Sequence, residues 1–238
     1  MPLPVSITTL LLDIEGTTTP VDFVFKVLFP YARDRVADFL ATQGADPEVQ
    51  ADLDLLRQEY AQEAAAELPD WAGEDAIAAV PYIHWLIDSD RKSTGLKSLQ
   101  GKIWEQGYVS GEIKGQLFAD VLPAFQRWQA AGLAIATFSS GSVQAQQLLF
   151  GYSEAGDLSP HLSGYFDTRT GPKREAASYG AIADQLGQEP QKILFISDIP
   201  AELEAAAAAG FQTRLSVRPG NAAVEIGDWT PIHSFDEL

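Results

Sequence analysis

The chain has 238 residues, 46% of them hydrophobic and 21% charged, a balance that suits one large globular domain or two unequal ones. A formal net charge of −17 argues against nucleic acid and anionic membranes as partners, since both reward clustered Lys and Arg, and any anionic ligand must meet local positive charge or a metal. The absence of cysteine excludes disulfides and thiolate chemistry, no apolar run approaches the ~18 residues that cross a bilayer, and the opening MPLPVSITT lacks the basic start of a secretion signal, so a cytoplasmic protein is expected.

In chain order, ITTLLLD (7–13) reads as a buried strand, apolar almost throughout, that ends abruptly in Asp13 with Glu15 two residues on. A glycine, three threonines and a proline follow at once. From Asp22 to about Gly111 no strand pattern occurs. FVFKVLFPYARDRVADFLATQG (23–44) carries apolar residues at helical spacing and a glycine where a helix should stop. DPEVQADLDLLRQEYAQEAAAEL (46–68) opens with an acid and a proline, as a capped helix does. GEDAIAAVPYIHWLIDSD (73–90), interrupted near Pro81, and TGLKSLQGKIWEQGY (94–108) complete a helical unit.

Helices and strands then alternate. ADVLPAFQRWQAAG, VQAQQLLFG, PKREAASYGAIADQLG and PAELEAAAAAG are helices, interleaved with the strands LAIATFSS, SGYFDT, KILFISD and FQTRLSV. Apolar strands separated by helices imply an α/β fold, a doubly wound parallel sheet covered on both faces. The first strand therefore belongs with the later region. The expected organisation is an α/β core of residues 1–20 and 115–238, with 21–114 inserted as an α-helical cap.

In such sheets ligands bind beyond the carboxyl ends of the strands. Asp13 and Glu15 stand there, as do Ser139 and Ser140 at the end of TFSSGS, and Ser197 and Asp198 at the end of KILFISD. Lys173 falls in the first turn expected for the PKRE helix, where a cation has the wrong sign for the helix dipole. Each feature alone has a structural explanation: the serines and Asp198 as helix caps, Lys173 as a solvated cation. Together, Asp13, Glu15 and Asp198 offer hard oxygens that suit Mg²⁺, while Lys173 and the serine hydroxyls suit phosphate oxygens. A carboxylate can attack phosphorus to give an aspartyl-phosphate, and a second acid can protonate the leaving oxygen and activate water.

In this order DIEGT, SSGS, GPK and SD resemble the four signatures of the haloacid dehalogenase superfamily, with Glu15 where a second aspartate is usual and Glu202 nearest to a further acid. LLLDIEGTTTP, SDRKSTGLKSLQGKIWEQGY, FADVLPAFQRWQAAG, SSGSVQAQQLLFG and VRPGN together resemble the enolase-phosphatases (acireductone synthases) of methionine salvage, over nearly the whole chain. That resemblance implies a monomeric, bifunctional enzyme. It would enolise 2,3-diketo-5-methylthiopentyl 1-phosphate, a small phosphorylated diketone, and then hydrolyse the phosphate through Asp13. It implies one Mg²⁺ per chain at Asp13, Glu15 and Asp198, and substrate contacts at Ser139, Ser140 and Lys173. Glu15 would act as acid and base, through a side chain or backbone contact to the metal that the sequence leaves open. Arg91, Lys92 and Lys97, in the basic stretch of the cap, are expected to face the anionic substrate. A sugar or glycolate phosphatase and a phosphomutase are the alternatives on the same scaffold. The histidines, His84, His161 and His233, are too scattered for a metal cluster, and no G-x-S-x-G, H-E-x-x-H or P-loop motif occurs.

Overall fold

The computed structural model describes residues 5–238; residues 1–4, the start of the stretch read above as no secretion signal, lie outside them. Two compact units emerge. One runs to Val24 and resumes at Lys114–Leu238, and the other is Phe25–Ile113.

The first unit holds a six-stranded sheet: β1 (Thr9–Leu12), β2 (Ala134–Phe138), β3 (Gly164–Phe166), β4 (Ile193–Ser197), β5 (Gln212–Ser216) and β6 (Pro231–Ile232). Every pairing is parallel and the order is β3-β2-β1-β4-β5-β6. The chain lays β2 and β3 to one side of β1, then returns to build β4, β5 and β6 on the other. The order reverses between β1 and β4, and in sheets of this kind ligands bind beyond the strand ends at such a point. Both strands are buried along their whole length, which is why their sequences admit no polar alternation.

Helices α1 (Val21–Phe23), α6 (Val121–Ala130), α7 (Val143–Gly151), α8 (Ala176–Leu186) and α9 (Pro200–Ala208) complete this unit. Tyr179 of α8 centres one core cluster, with its ring edge-on to Phe138, Phe195 and Phe211 at centroid distances of 5.5, 5.2 and 5.6 Å. Ala205 and Ala206 are buried in the same cluster, so the alanine run lets α9 lie close to the sheet. β6 gave no sequence signal. It is two residues long and begins at a proline, which an edge strand tolerates because no neighbour needs its missing N–H.

The second unit is helical, with α2 (Phe29–Gln43), α3 (Pro47–Gln62), α4 (Val80–Asp88) and α5 (Thr94–Ser110). A π-helical turn, Val24–Leu28, precedes α2. Asp46 caps α3 by accepting from Glu48 N–H, and Ser93 caps α5 by accepting from Leu96 N–H. Two expectations need correction. α3 stops at Gln62 rather than running to Leu68, because Glu63–Glu67 offers no large apolar side chain to bury. Pro81 does not interrupt a helix but opens one: Ala76–Ala79 is a 3₁₀ turn, and Pro81 sits in the first turn of α4, where its missing N–H leaves nothing unsatisfied. At the heart of this unit Tyr82 is fully buried among Tyr60, Trp71 and Trp85.

Candidate active site

Asp13 is the residue after β1, and its N–H donates to Ile196 O at 2.9 Å, so the sheet's own hydrogen bonding fixes where the side chain begins. The carboxylate is buried and fully engaged. Oδ1 accepts from Lys173 Nζ at 2.6 Å and from Ile14 N–H at 2.7 Å; Oδ2 lies 3.0 Å from Ser197 Oγ. Lys173 Nζ also reaches Glu202 Oε2 at 2.7 Å, and Ser197 Oγ sits 2.9 Å from that same oxygen. One cation and one hydroxyl thus bridge two carboxylates from β1 and α9.

Lys173 does not stand in the first turn of a helix. α8 begins at Ala176 with Glu175 in the cap position, which leaves Lys173 in the turn before it. That turn is tied down by Tyr179 Oη donating to Lys173 O and Ser178 Oγ donating to Pro172 O, both at 2.7 Å. The helix dipole is therefore not the reason for the lysine. Its side chain is 7% exposed, and two acids hold it there. Burial alone would strip its proton, but Asp13 and Glu202 outweigh burial and push its pKa up, so the ammonium persists. Glu202 is pushed up as well, by burial and then by Asp13, which Lys173 only partly offsets.

Asp198 follows β4 and packs against Gly16, whose φ of +73° is a left-handed conformation. A Cβ on Gly16 would lie 2.4 Å from Asp198 Oδ2, so no other residue fits there. Burial, and then the charge on Asp13, raise the Asp198 pKa to about 7, and its Oδ1 is buried without a hydrogen-bond partner. Hard carboxylate oxygens, more negative charge than Lys173 can neutralise and an orphaned acceptor together fit a divalent cation such as Mg²⁺. Among the described residues no three Asp, Glu or His side chains converge as a metal cage. The further acid that shares charge with Asp13 and Asp198 is Glu202. Glu15 is half-buried, and its backbone pairs with Thr19 across the turn.

The family profile of the haloacid dehalogenase-like hydrolases matches residues 7–210. The chain is 94% identical to "Enolase-phosphatase E1" of Synechococcus elongatus over the full length of both. With the protein of that name from Drosophila melanogaster it shares 47% over 238 residues, covering 94% of this chain and 92% of that one. The chain belongs to the enolase-phosphatase E1 family. Among solved structures, the UTR4 protein of Saccharomyces cerevisiae aligns with a TM-score of 0.81 at 36% identity, covering 98% of this chain and 100% of that one.

In this enolase-phosphatase scaffold the SSGS loop divides its labour. Ser139 directly follows β2, the neighbour of β1, is buried, and accepts from Gly141 N–H at 3.1 Å, whereas Ser140 is exposed. The helix cap is Ser142, which accepts from Ala145 N–H, so Ser139 and Ser140 are not needed as caps. Gln146 braces the loop from beneath, donating to Gly141 O and Phe166 O while accepting from Thr137 Oγ1. Arg91, Lys92 and Lys97 belong to the helical unit. There Arg91 pairs with Glu63 and lies over the Trp85 ring at 5.4 Å, Lys92 is exposed and Lys97 is half-buried. Glu202 stood out in the sequence only as a further acid, with no role attached. The signal that could have supplied one is its spacing: four residues after Asp198, one turn into α9, it points back toward the strand end it follows.

Proposed function

We propose that Asp13 is the nucleophile of a bifunctional enzyme that enolises 2,3-diketo-5-methylthiopentyl 1-phosphate and then removes its phosphate, leaving the acireductone of methionine salvage. The observation that carries the assignment is the buried Lys173 bridging Asp13 and Glu202 at the point where the sheet order reverses. Lys173 and Ile14 N–H fix the plane of the Asp13 carboxylate, so an oxygen lone pair is presented to phosphorus without reorganisation. Attack forms the Asp13–phosphoryl bond and breaks the bond from phosphorus to the substrate oxygen. Glu15 supplies a proton to that leaving oxygen and then takes one from the water that cleaves the aspartyl-phosphate. Ser139, Ser140 and the Lys173 ammonium receive the phosphate oxygens.

One Mg²⁺ per chain would be held by Asp13, Glu15 and Asp198. When bound it supplies charge stabilisation at the phosphate and at the enolate oxygen. In the enolisation, Glu15 is the base that removes the proton beside the carbonyl. Arg91, Lys92 and Lys97 attract the anion from the helical cap. The enzyme acts as a cytoplasmic monomer on a small phosphorylated substrate; among the described residues no helix is long and apolar enough to cross a membrane.

The test follows both steps on one sample, with enol phosphate read by its conjugated ultraviolet absorbance and phosphate by its release. Asp13→Asn should abolish phosphate release while enol phosphate still accumulates. Full phosphate release by that variant would refute the nucleophile. Comparable turnover of simple sugar phosphates by the wild type, with no ultraviolet-absorbing product from the diketone, would favour the sugar phosphatase reading.

A further inference from the structure

Three side chains from the end of β5 and the loop beyond it hold the turn that follows Asp13. Ser216 Oγ and Asn221 Nδ2 both donate to Gly16 O, at 3.1 and 2.9 Å, and Arg218 Nε donates to Thr17 O at 3.1 Å. Arg218 is itself fixed, with its Nη1 on Asp120 Oδ2 at 2.8 Å and its guanidinium stacked between Phe118 and Phe235. The turn they grip carries Gly16, against which Asp198 rests.

Asn221 does more than grip. The Gly16 carbonyl can only accept, so the NH₂ of Asn221 faces it, and this fixes which way the amide points. Asn221 Oδ1 is then left beside Gly16, 3.1 Å from where a Cβ would stand, and the Asp198 carboxylate borders that same position. Asn221 Oδ1 and Asp198 Oδ1 are both buried and both lack a hydrogen-bond partner. Asp198 Oδ1 can ligate an ion, which leaves Asn221 Oδ1 calling for something that donates to it. A metal-bound water does so: Mg²⁺ takes one or two carboxylates and keeps several waters, and those waters are strong donors.

We propose that Asn221 is a positioning residue of the metal site. Its amide oxygen holds a water of the Mg²⁺ bound at Asp198, while its NH₂ fixes the Gly16 turn. This inference rests on the Mg²⁺ reading given above. It also explains the VRPGN stretch, because the loop after β5 supplies the outer contact that orients the ion's shell, while Ser216 and Arg218 hold the turn through Gly16 O and Thr17 O.

The experiment measures Mn²⁺ binding to the full chain without substrate, by the paramagnetic resonance of free Mn²⁺, in wild type, Asn221→Ala and Ser216→Ala. Ser216→Ala removes the same kind of hydrogen bond from Gly16 O but leaves Asn221 Oδ1 in place. Loss of an outer contact weakens metal affinity about 10- to 100-fold, so Asn221→Ala should show that loss while Ser216→Ala stays within about twofold of wild type. Thermal melts in chelator check that each variant folds; if Asn221→Ala does not, Asn221→Ser is measured in its place. Equal weakening in the Asn221 and Ser216 variants would reduce Asn221 to a prop for the turn and overturn the proposal, as would an unchanged affinity in the Asn221 variant. A wild type that binds no Mn²⁺ would instead overturn the metal reading on which the proposal rests.

Discussion

Replacing Lys173 with methionine keeps the length and apolar bulk of the side chain and deletes only its charge. The ammonium lies 2.6 Å from Asp13 Oδ1 and 2.7 Å from Glu202 Oε2, and all three side chains are at most 10% exposed. Each contact is worth about 6 kcal/mol by Coulomb's law at an effective dielectric near 20. The desolvation of the ions offsets much of this, but removing one partner leaves the other charges buried and uncompensated, at a net cost of about 3–5 kcal/mol. Because the chain has two compact units, a single unfolding curve would blur the effect, and hydrogen exchange of the β1 and β4 amides reports the opening of the α/β unit alone. Protection there should fall by roughly two to three and a half orders of magnitude at neutral pH. The deficit should shrink in acid. Glu202 has a raised folded pKa, and more so without Lys173, so it opposes folding at high pH and is relieved as pH falls through that folded value. A loss below about 1 kcal/mol, the worth of an exposed pair, would show that the lysine is solvated in solution and would refute the reasoning.

Three further outcomes are expected. Asp198, with its pKa raised to about 7, must lose its proton to bind Mg²⁺, so metal affinity by calorimetry should rise between about pH 6 and 8; a flat profile would remove Asp198 as a ligand. Asp120 accepts from Phe235 N–H and Arg218, and although burial works against it, these partners hold its pKa below the ordinary value. Its contribution is present above the ordinary carboxylate range and lost as pH falls through the depressed value, so Asp120→Asn should destabilise the fold by about 3–5 kcal/mol at neutral pH in denaturant titrations, with the difference from wild type fading in strong acid. A uniform difference at all pH values would contradict this. Changing Arg91, Lys92 and Lys97 together to glutamine should raise KM about tenfold or more while leaving the melt of the helical unit close to wild type, and unchanged kinetics would make the cluster a solvated face.

How much of this was legible in the sequence depended on whether a residue's reason was local. β1 and β4 were plain because a strand buried on both faces cannot tolerate polar alternation, and Leu10, Leu11, Leu12 and Ile193–Ile196 are fully buried. Asp13 and Asp198 were legible because an acid directly after such a strand has no packing reason to be there. Lys173 was found for a reason that does not hold: the helix begins three residues later, and two acids 160 and 29 positions away in sequence hold the ammonium. No local pattern reveals a partner at that separation. Glu202 and Asn221 were obscure for the same cause, since each acquires its meaning only when β1, β4 and β5 lie side by side. The end of α3 at Gln62 and the opening of α4 at Val80, with Pro81 in its first turn, were misread because alanine-rich helix propensity and a mid-pattern proline were weighed without the packing that decides both.

Asp13 is proposed to carry the phosphoryl group during turnover. Acid quenching of the enzyme with the diketo phosphate in Mg²⁺, followed by peptide mass spectrometry, tests it most directly. The peptide containing Asp13 should gain one phosphoryl group in wild type and none in Asp13→Asn. Phosphoryl transfer to another peptide, or undiminished phosphate release from Asp13→Asn, would contradict the account.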